Sequence, residues 1–437
     1  MRKESRPPFS RERVVRQPPI WQNAASPTPS PSMRSATVPE GIQRHITALA
    51  RNLPIRRPLV NLCQDRHRFA AVLLIAARRR QTCLLPPDRS PAALEELRSR
   101  FADAAIVTDD EIEPVSPFPR PRPTGSPGRW LAGLRLVCFT SGSCGTPVPW
   151  SKTGAMLSRG ADHALRALGW RDKSWDVVAT TPAQHLFALE TAVVWPFRSR
   201  LRPTARQPFY PEDIRRLLSG NARPVLLVST PLQLRACLTS APRWRNLAGI
   251  LSATAPLDPE LARELEAATG RPLWEIYGST ETQSFAWRRP AHDERWMPYP
   301  GVRVTCTATG VTVHAPWLPG PVTLADRFEP LEDGRLRLLG RNRELIKVGG
   351  RRVALGALNR HLLAIEGVED GHFFPTEQGR VGALVVTRLS RRALLDQLRR
   401  RLDPVFLPRP LVFVDAIPRT ATGKIRLADL EALLKRR

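Results

Sequence analysis

From about residue 60 onward the chain alternates between short apolar runs and longer stretches with one apolar face. Asp65 to Arg79 carries the apolar run Phe69 to Ala77, closed by Arg68 and Arg78, and reads as a helix. Thr82 to Leu85 reads as a strand stopped by Pro86 and Pro87. Pro91 to Phe101 reads as an amphipathic helix with Ser90 at its N-cap. Further strand-like runs are Ala104 to Thr108, Leu134 to Thr140, Asp176 to Thr181, Val225 to Ser229, Gly249 to Ala253 and Leu273 to Tyr277, with a helical stretch from Pro259 to Thr269 before the last. Strands separated by helices predict βα units, so the expected class is α/β with parallel-rich sheets.

After about residue 300 the texture changes. Val302 to Thr307, Gly310 to Ala315 and Gly334 to Leu339 alternate or run β-branched, which predicts antiparallel β structure. From Arg343 the order is strand, helix (Leu355 to Ile365), two strands (Gly371 to Phe374, Val381 to Thr387) and helix (Arg391 to Leu402), a small α+β domain. Residues 1–40 are rich in Pro, Ser and Arg and cannot bury enough surface to offset their ordering entropy. The expected division is therefore a disordered tail over 1–55, a core over 56–342 and a mobile C-terminal domain over 343–437, with Pro114 to Pro127 as a surface loop and Met33 as an alternative start.

Composition narrows the function classes. The longest apolar run is far short of the ~20 residues a membrane helix needs, so no span is expected. The 67 Lys+Arg against 40 Asp+Glu give a formal charge of +27, which would suit nucleic acid. Lysine, however, occurs only at Lys3, Lys152, Lys173, Lys347, Lys424 and Lys435; the arginines are scattered, and no aromatic-interleaved basic stripe is present. The charge reads better as arginine-rich coding, and suits an acidic partner as well as nucleic acid. Six cysteines without a C-x-x-C pair, several in apolar runs, point to a reducing cytoplasm.

Four clusters carry chemistry. Thr140-Ser141-Gly142-Ser143-Cys144-Gly145-Thr146-Pro147 follows a strand with glycines and hydroxyls, the composition of a phosphate cradle or of a plain polar turn. Tyr277-Gly278-Ser279-Thr280-Glu281 ends another strand. It suits a nucleotide crevice with a hard carboxylate for Mg²⁺, and equally a helix cap with Glu in its first turn. The third cluster is Asp326 followed by Gly340-Arg341 and Ile346-Lys347-Val348-Gly349-Gly350. The fourth is Pro418-Arg419-Thr420-Ala421-Thr422-Gly423-Lys424.

Taken in order, these clusters resemble the ANL superfamily of adenylate-forming enzymes, the AMP-dependent synthetases and ligases, over about residues 60–435. The resemblance implies that Thr140, Ser141, Gly142, Ser143 and Gly145 bind the β- and γ-phosphates of ATP. It implies that Ala253, Thr254, Ala255 and Pro256 form the adenine-contacting loop, with Tyr277 and Gly278 beside it. Thr280 would contact the α-phosphate, Glu281 would hold Mg²⁺, and Asp326 and Arg341 would bind the ribose hydroxyls. Lys424 would stabilise the charge that develops on the α-phosphorus during adenylation. The domain beyond Arg343 would swing, bringing Gly349 and Gly350 to a pantetheine tunnel. His185, in the string Gln184-His185-Leu186-Phe187-Ala188-Leu189-Glu190, would line the acyl pocket, or serve only as a structural histidine. That string resembles the AMP-ligases of aryl polyene and xanthomonadin-type pigment clusters. The implied reaction is activation of an aryl or hydroxy-aryl acid, followed by transfer to CoA or to a carrier-protein phosphopantetheine.

Two departures stand out. Val148 occupies the place where the family's phosphate loop has lysine, and Cys144 replaces a usual threonine. Lys152, four positions on, is the expected replacement, and so joins the cofactor-binding set. The departures leave two other classes to weigh: a binding-only nucleotide or acyl relative, and a basic nucleic-acid-binding protein.

Overall fold

The computed structural model describes residues 13–15, 38–87, 89–110, 131–140, 148–239, 244–307, 310–341, 345–348, 351–376, 379–420, 425 and 427–435. The chain divides into two compact units. One comprises Ala24–Glu294 with Pro316–Leu318 and Pro418–Arg437; the other comprises Met1–Asn23, Arg295–Ala315 and Pro319–Ile417. The expected division at residue 342 thus falls inside the second unit, because strand Leu336–Arg341 packs on strand Arg351–Ala354 there.

The first unit holds two sheets. Strands β1 (Leu59–Asn61), β2 (Thr82–Leu85), β3 (Ala105–Val107), β4 (Arg135–Thr140) and β5 (Val148–Thr153) lie in the order β3-β1-β2-β4-β5, parallel except for the last pair. In the second sheet β6 (Asp176–Ala179), β7 (Arg202–Pro203), β8 (Val225–Ser229), β9 (Leu247–Ser252), β10 (Leu273–Ser279) and β11 (Gln283–Arg288) follow the order β11-β10-β9-β8-β6-β7. Only the β10–β11 pair among these is antiparallel. One face of this sheet is covered by apolar residues of three helices, α5 (Pro211–Gly220), α6 (Pro231–Thr239) and α7 (Pro259–Thr269), with Ile214, Leu218, Leu234, Leu261 and Leu265 packed on Val225, Leu227 and Ile250.

Local signals set the helix ends. Asp258 caps α7 by accepting from the Glu260 N–H (3.0 Å), Pro259 opens it, and Gly270 at φ +62° closes it. Helix α4 (Gly154–Leu168) starts at a glycine because a Cβ there would lie 1.6 Å from the Leu131 carbonyl. Earlier helices are α1 (Glu40–Asn52), α2 (Arg66–Arg79, capped by Asp65) and α3 (Pro91–Arg100, capped by Ser90).

Helix α1 corrects the expected tail. Disorder through residue 55 is too long, because Ile42 and Leu49 are buried and α1 packs on α2. Ile42, Ile46 and Leu49 recur at helical spacing, and burying that face offsets the ordering cost. The Pro114 to Pro127 loop and Met33 lie outside the described residues.

The second unit is β-rich at first. Strands Arg303–Cys306, Val311–His314 and Val322–Leu324 form an antiparallel sheet, and Asp326–Pro330 pairs with Leu336–Arg341. From Val348 to Phe413 a separate apolar core joins helices Leu355–Leu363 and Arg391–Arg399 to strands Val368–Pro375, Val381–Thr387 and Leu411–Phe413, the expected α+β arrangement.

Candidate active site

The C-terminal ends of the parallel strands carry a row of polar side chains above an apolar sheet. Ser229, Ser252, Glu275 and Arg288 are successive register partners across β8, β9, β10 and β11. The Thr180 and Ser229 hydroxyls lie 3.0 Å apart, and the Gln233 side-chain oxygen of α6 accepts from Thr180. The hydroxyls of Ser252 and Thr181 are buried with no hydrogen-bond partner among the described residues. Buried hydroxyls are normally paired, and ligands of open α/β sheets bind outside the strands' carboxyl ends. This edge therefore fits a polar ligand.

Beyond Ser252 the chain turns through Ala253, Thr254, Ala255 and Pro256. Ala253 is buried, Thr254 sits at φ +81°, and Ala255 and Pro256 are exposed. The turn is anchored one residue later: the Leu257 N–H donates to Glu275 (2.9 Å) and its carbonyl accepts from Arg288 (3.1 Å).

The Tyr277-to-Glu281 segment is the tip of the β10–β11 hairpin. The capping alternative is overturned: Thr280 to Thr282 form a turn and the chain returns antiparallel, so no helix is capped. Tyr277 is half-buried with its ring edge-on to Phe285 at 5.5 Å. Phe285 is fully buried as that packing partner. At Gly278 the register slips, and a Cβ there would meet the Gln283 carbonyl at 2.2 Å. Thr280 and Glu281 are half-buried at the tip.

Lys152 of β5 is only 2 % exposed, and its ammonium donates to the Glu281 main-chain carbonyl at 2.6 Å. Burial pushes its pKa down, against the charges of Cys138, Glu190 and Glu281. The expectation that it replaces the loop lysine meets a different geometry: the ammonium is committed to the hairpin tip. Glu190 lies in a stretch of π-helix, Leu189–Val194, and accepts from the Ser284 N–H (3.1 and 3.3 Å). Burial raises its pKa to about 7, against the Ser284 hydrogen bonds and Lys152. A lone carboxylate inside the apolar run Leu186 to Val194 was a signal of such a buried group, as was the isolated Glu275 in β10.

Thr140 ends β4 opposite Val148, which is 45 % exposed. Ser141, Gly142, Ser143 and Gly145 lie outside the described residues, as do Arg343, Gly349, Gly350 and Lys424. His185 is half-buried at the N-cap of the short helix Leu186–Ala188, its carbonyl accepting from the Leu189 N–H (2.9 Å). In the second unit Asp326 and Arg341 come together as cross-strand register partners, Asp326 being 7 % exposed.

Residues 70–313 match the family model described as AMP-binding enzyme. The chain belongs to the AMP-binding enzyme family. This AMP-binding enzyme is 27% identical to the indoleacetate–CoA ligase of Aromatoleum aromaticum over 406 residues, covering 80% of this chain and 74% of that one. It is 26% identical to the fatty acid–[acyl-carrier-protein] ligase MmaC of Mycobacterium marinum over 382 residues, covering 71% and 70%. Its fold is also that of the Bacillus subtilis o-succinylbenzoate CoA synthetase bound to its acyl-adenylate, with a TM-score of 0.72 at 16% identity, covering 90% and 91%. No helix among the described residues is long and apolar enough to cross a membrane.

Proposed function

We propose that this AMP-forming ligase activates an aryl or hydroxy-aryl carboxylic acid and passes the acyl group to a phosphopantetheine thiol. A carboxylate oxygen attacks the α-phosphorus of ATP, the bond to the bridging oxygen breaks, and pyrophosphate leaves. The thiol sulfur then attacks the acyl carbon, AMP leaves, and the thiol proton passes to solvent.

In this reading Tyr277 and the Ala253-to-Pro256 turn flank the adenine, and the Thr280 hydroxyl donates to the α-phosphate. Asp326 and its partner Arg341 take the ribose hydroxyls. The Thr140-to-Gly145 segment takes the outer phosphates, and Lys424 meets the charge that builds in the transition state. Glu281 would hold Mg²⁺, which when bound would neutralise charge on the triphosphate. His185 borders the acid.

The observation that carries the reading is the row of hydroxyls at the sheet edge, with Thr181 and Ser252 unpaired among the described residues, and a half-buried tyrosine on the next strand. A site built to hydrogen-bond a substituent favours an acid that brings one. Relatives named for indoleacetate, 4-coumarate and 3-hydroxybenzoate support an aryl acid. The net charge of +27 supports an acidic carrier protein as acceptor, and cysteines 63, 83, 138, 237 and 306, none of them in a disulfide among the described residues, support a reducing cytoplasm. Carboxylate-dependent ATP–pyrophosphate exchange across aliphatic, aryl and hydroxy-aryl acids tests the reading: hydroxy-aryl acids should give the highest kcat/KM, and preference for aliphatic acids would reject it.

A further inference from the structure

The hairpin tip that bears Thr280 and Glu281 is irregular. Its register slips at Gly278, and Gln283 is held at φ +62°, a conformation that costs a residue with a side chain. A two-stranded ladder therefore leaves several main-chain groups of the tip unpaired, and side chains from three separate elements take them. Lys152 of β5 holds the Glu281 carbonyl at 2.6 Å. Trp317, itself 2 % exposed, donates to the Thr282 carbonyl at 2.9 Å. Glu190 of the π-helical stretch accepts from the Ser284 N–H. Within the tip, the Thr282 hydroxyl accepts from the Ser279 N–H and donates to the Gln283 carbonyl.

Lys152 is the costly member of this set. An ammonium that is taken out of water and spends a short hydrogen bond on a main-chain carbonyl is expensive unless negative charge lies near, and Glu190 and Glu281 act on Lys152 in that sense, Glu190 only as far as it is ionised. A chain that writes arginine at nearly every basic position keeps lysine here, at a buried site where a compact ammonium meets a single carbonyl.

We infer that Lys152 is a positioning residue: by gripping the Glu281 carbonyl, with Glu190 and Trp317 on the adjoining residues, it sets the direction in which Thr280 and Glu281 face the nucleotide, and it does not itself bind phosphate. This rests on the assignment of Thr280 and Glu281 to the α-phosphate and Mg²⁺.

Lys152→Met alone strands Glu190 and is a poor test, because it can unfold the protein. The double variant Lys152→Met/Glu190→Gln removes both charges, and glutamine still accepts from Ser284. In the full-length protein we expect kcat for ATP–pyrophosphate exchange to fall about 10–100-fold, the worth of one hydrogen bond to a charged group. KM for ATP should move by no more than about threefold. Amide hydrogen exchange should quicken in peptides covering 277–288 and stay unchanged in those covering 59–85. A raised KM for ATP with kcat retained would show direct phosphate binding and overturn the inference. Wild-type kinetics and exchange would show that Lys152 only balances Glu190, and would overturn it too. Thr280→Ala, measured alongside, separates the two levels: if it exchanges like the wild type, the assignment of the tip fails; if it is impaired while the double variant is not, only the role of Lys152 fails.

Discussion

Glu275 and Arg288 face each other across β10 and β11, joined at 2.6 Å, and between them they hold both main-chain polar groups of Leu257. Both side chains are nearly inaccessible, 3% and 6% exposed. The pair thus fixes the exit of the Ala253-to-Pro256 turn. Removing one partner of a buried pair leaves an uncompensated charge, so Arg288→Met should cost about 3–5 kcal/mol in urea unfolding. The milder Glu275→Gln should raise KM for ATP more than it lowers kcat if the turn it frames contacts the adenine as proposed.

Gly278 is required for space. A Cβ at that position would lie 2.2 Å from the Gln283 carbonyl and 2.6 Å from the Ser284 Cα, so the hairpin tip must open to admit it. Gly278→Ala should lower exchange activity by at least about tenfold, as expected when reacting groups are displaced by about 1 Å. A circular dichroism spectrum close to wild type would show that the loss is local.

Burial raises the Glu190 pKa from 4.5 to about 7, so the folded state favours its neutral form. The folded protein then holds more protons than the unfolded chain between those values. The stabilisation is full below the unfolded pKa and is lost as pH rises through 7. Lys152 on β5, Cys138 on β4 and Ser284 on β11 are the groups that act on this carboxyl. Urea unfolding between about pH 5 and 7.5 should show wild-type stability falling with pH, with a shallower slope in Glu190→Gln.

The buried thiols should be inert. Burial pushes Cys63, Cys138 and Cys237 up to about 12 and Cys306 up to about 11. Since the thiolate is the reacting form, alkylation of these four at about pH 8 should be slow in the native protein and fast in denaturant. Peptide mass mapping reads each site separately.

Much of the fold was legible from patterning. The strand Val225–Ser229 and helix Pro259–Thr269 stand where apolar runs and the Asp258, Pro259 and Gly270 punctuation put them, since those signals are local. Helix Glu40–Asn52 was hidden by the Pro- and Ser-rich segment before it, although its apolar spacing was readable. Contacts between Leu336–Arg341 and Arg351–Ala354, on either side of the expected boundary at 342, are invisible to composition. At the candidate site, ordered motifs pointed to Tyr277 to Glu281, yet the hairpin depends on β11 pairing back, which a cap-like string does not disclose. The burial of Lys152 and its partner 129 positions away arise only when two sheets are assembled.

The most direct test of the central claim is ATP–pyrophosphate exchange with an aryl-acid panel, wild type against Lys424→Ala. If the chain forms acyl-adenylates, at least one acid should drive exchange, and Lys424→Ala should reduce it about 10²–10³-fold, the usual loss when one transition-state charge contact is removed. Absence of exchange with every acid, or an unchanged rate in Lys424→Ala, would contradict it.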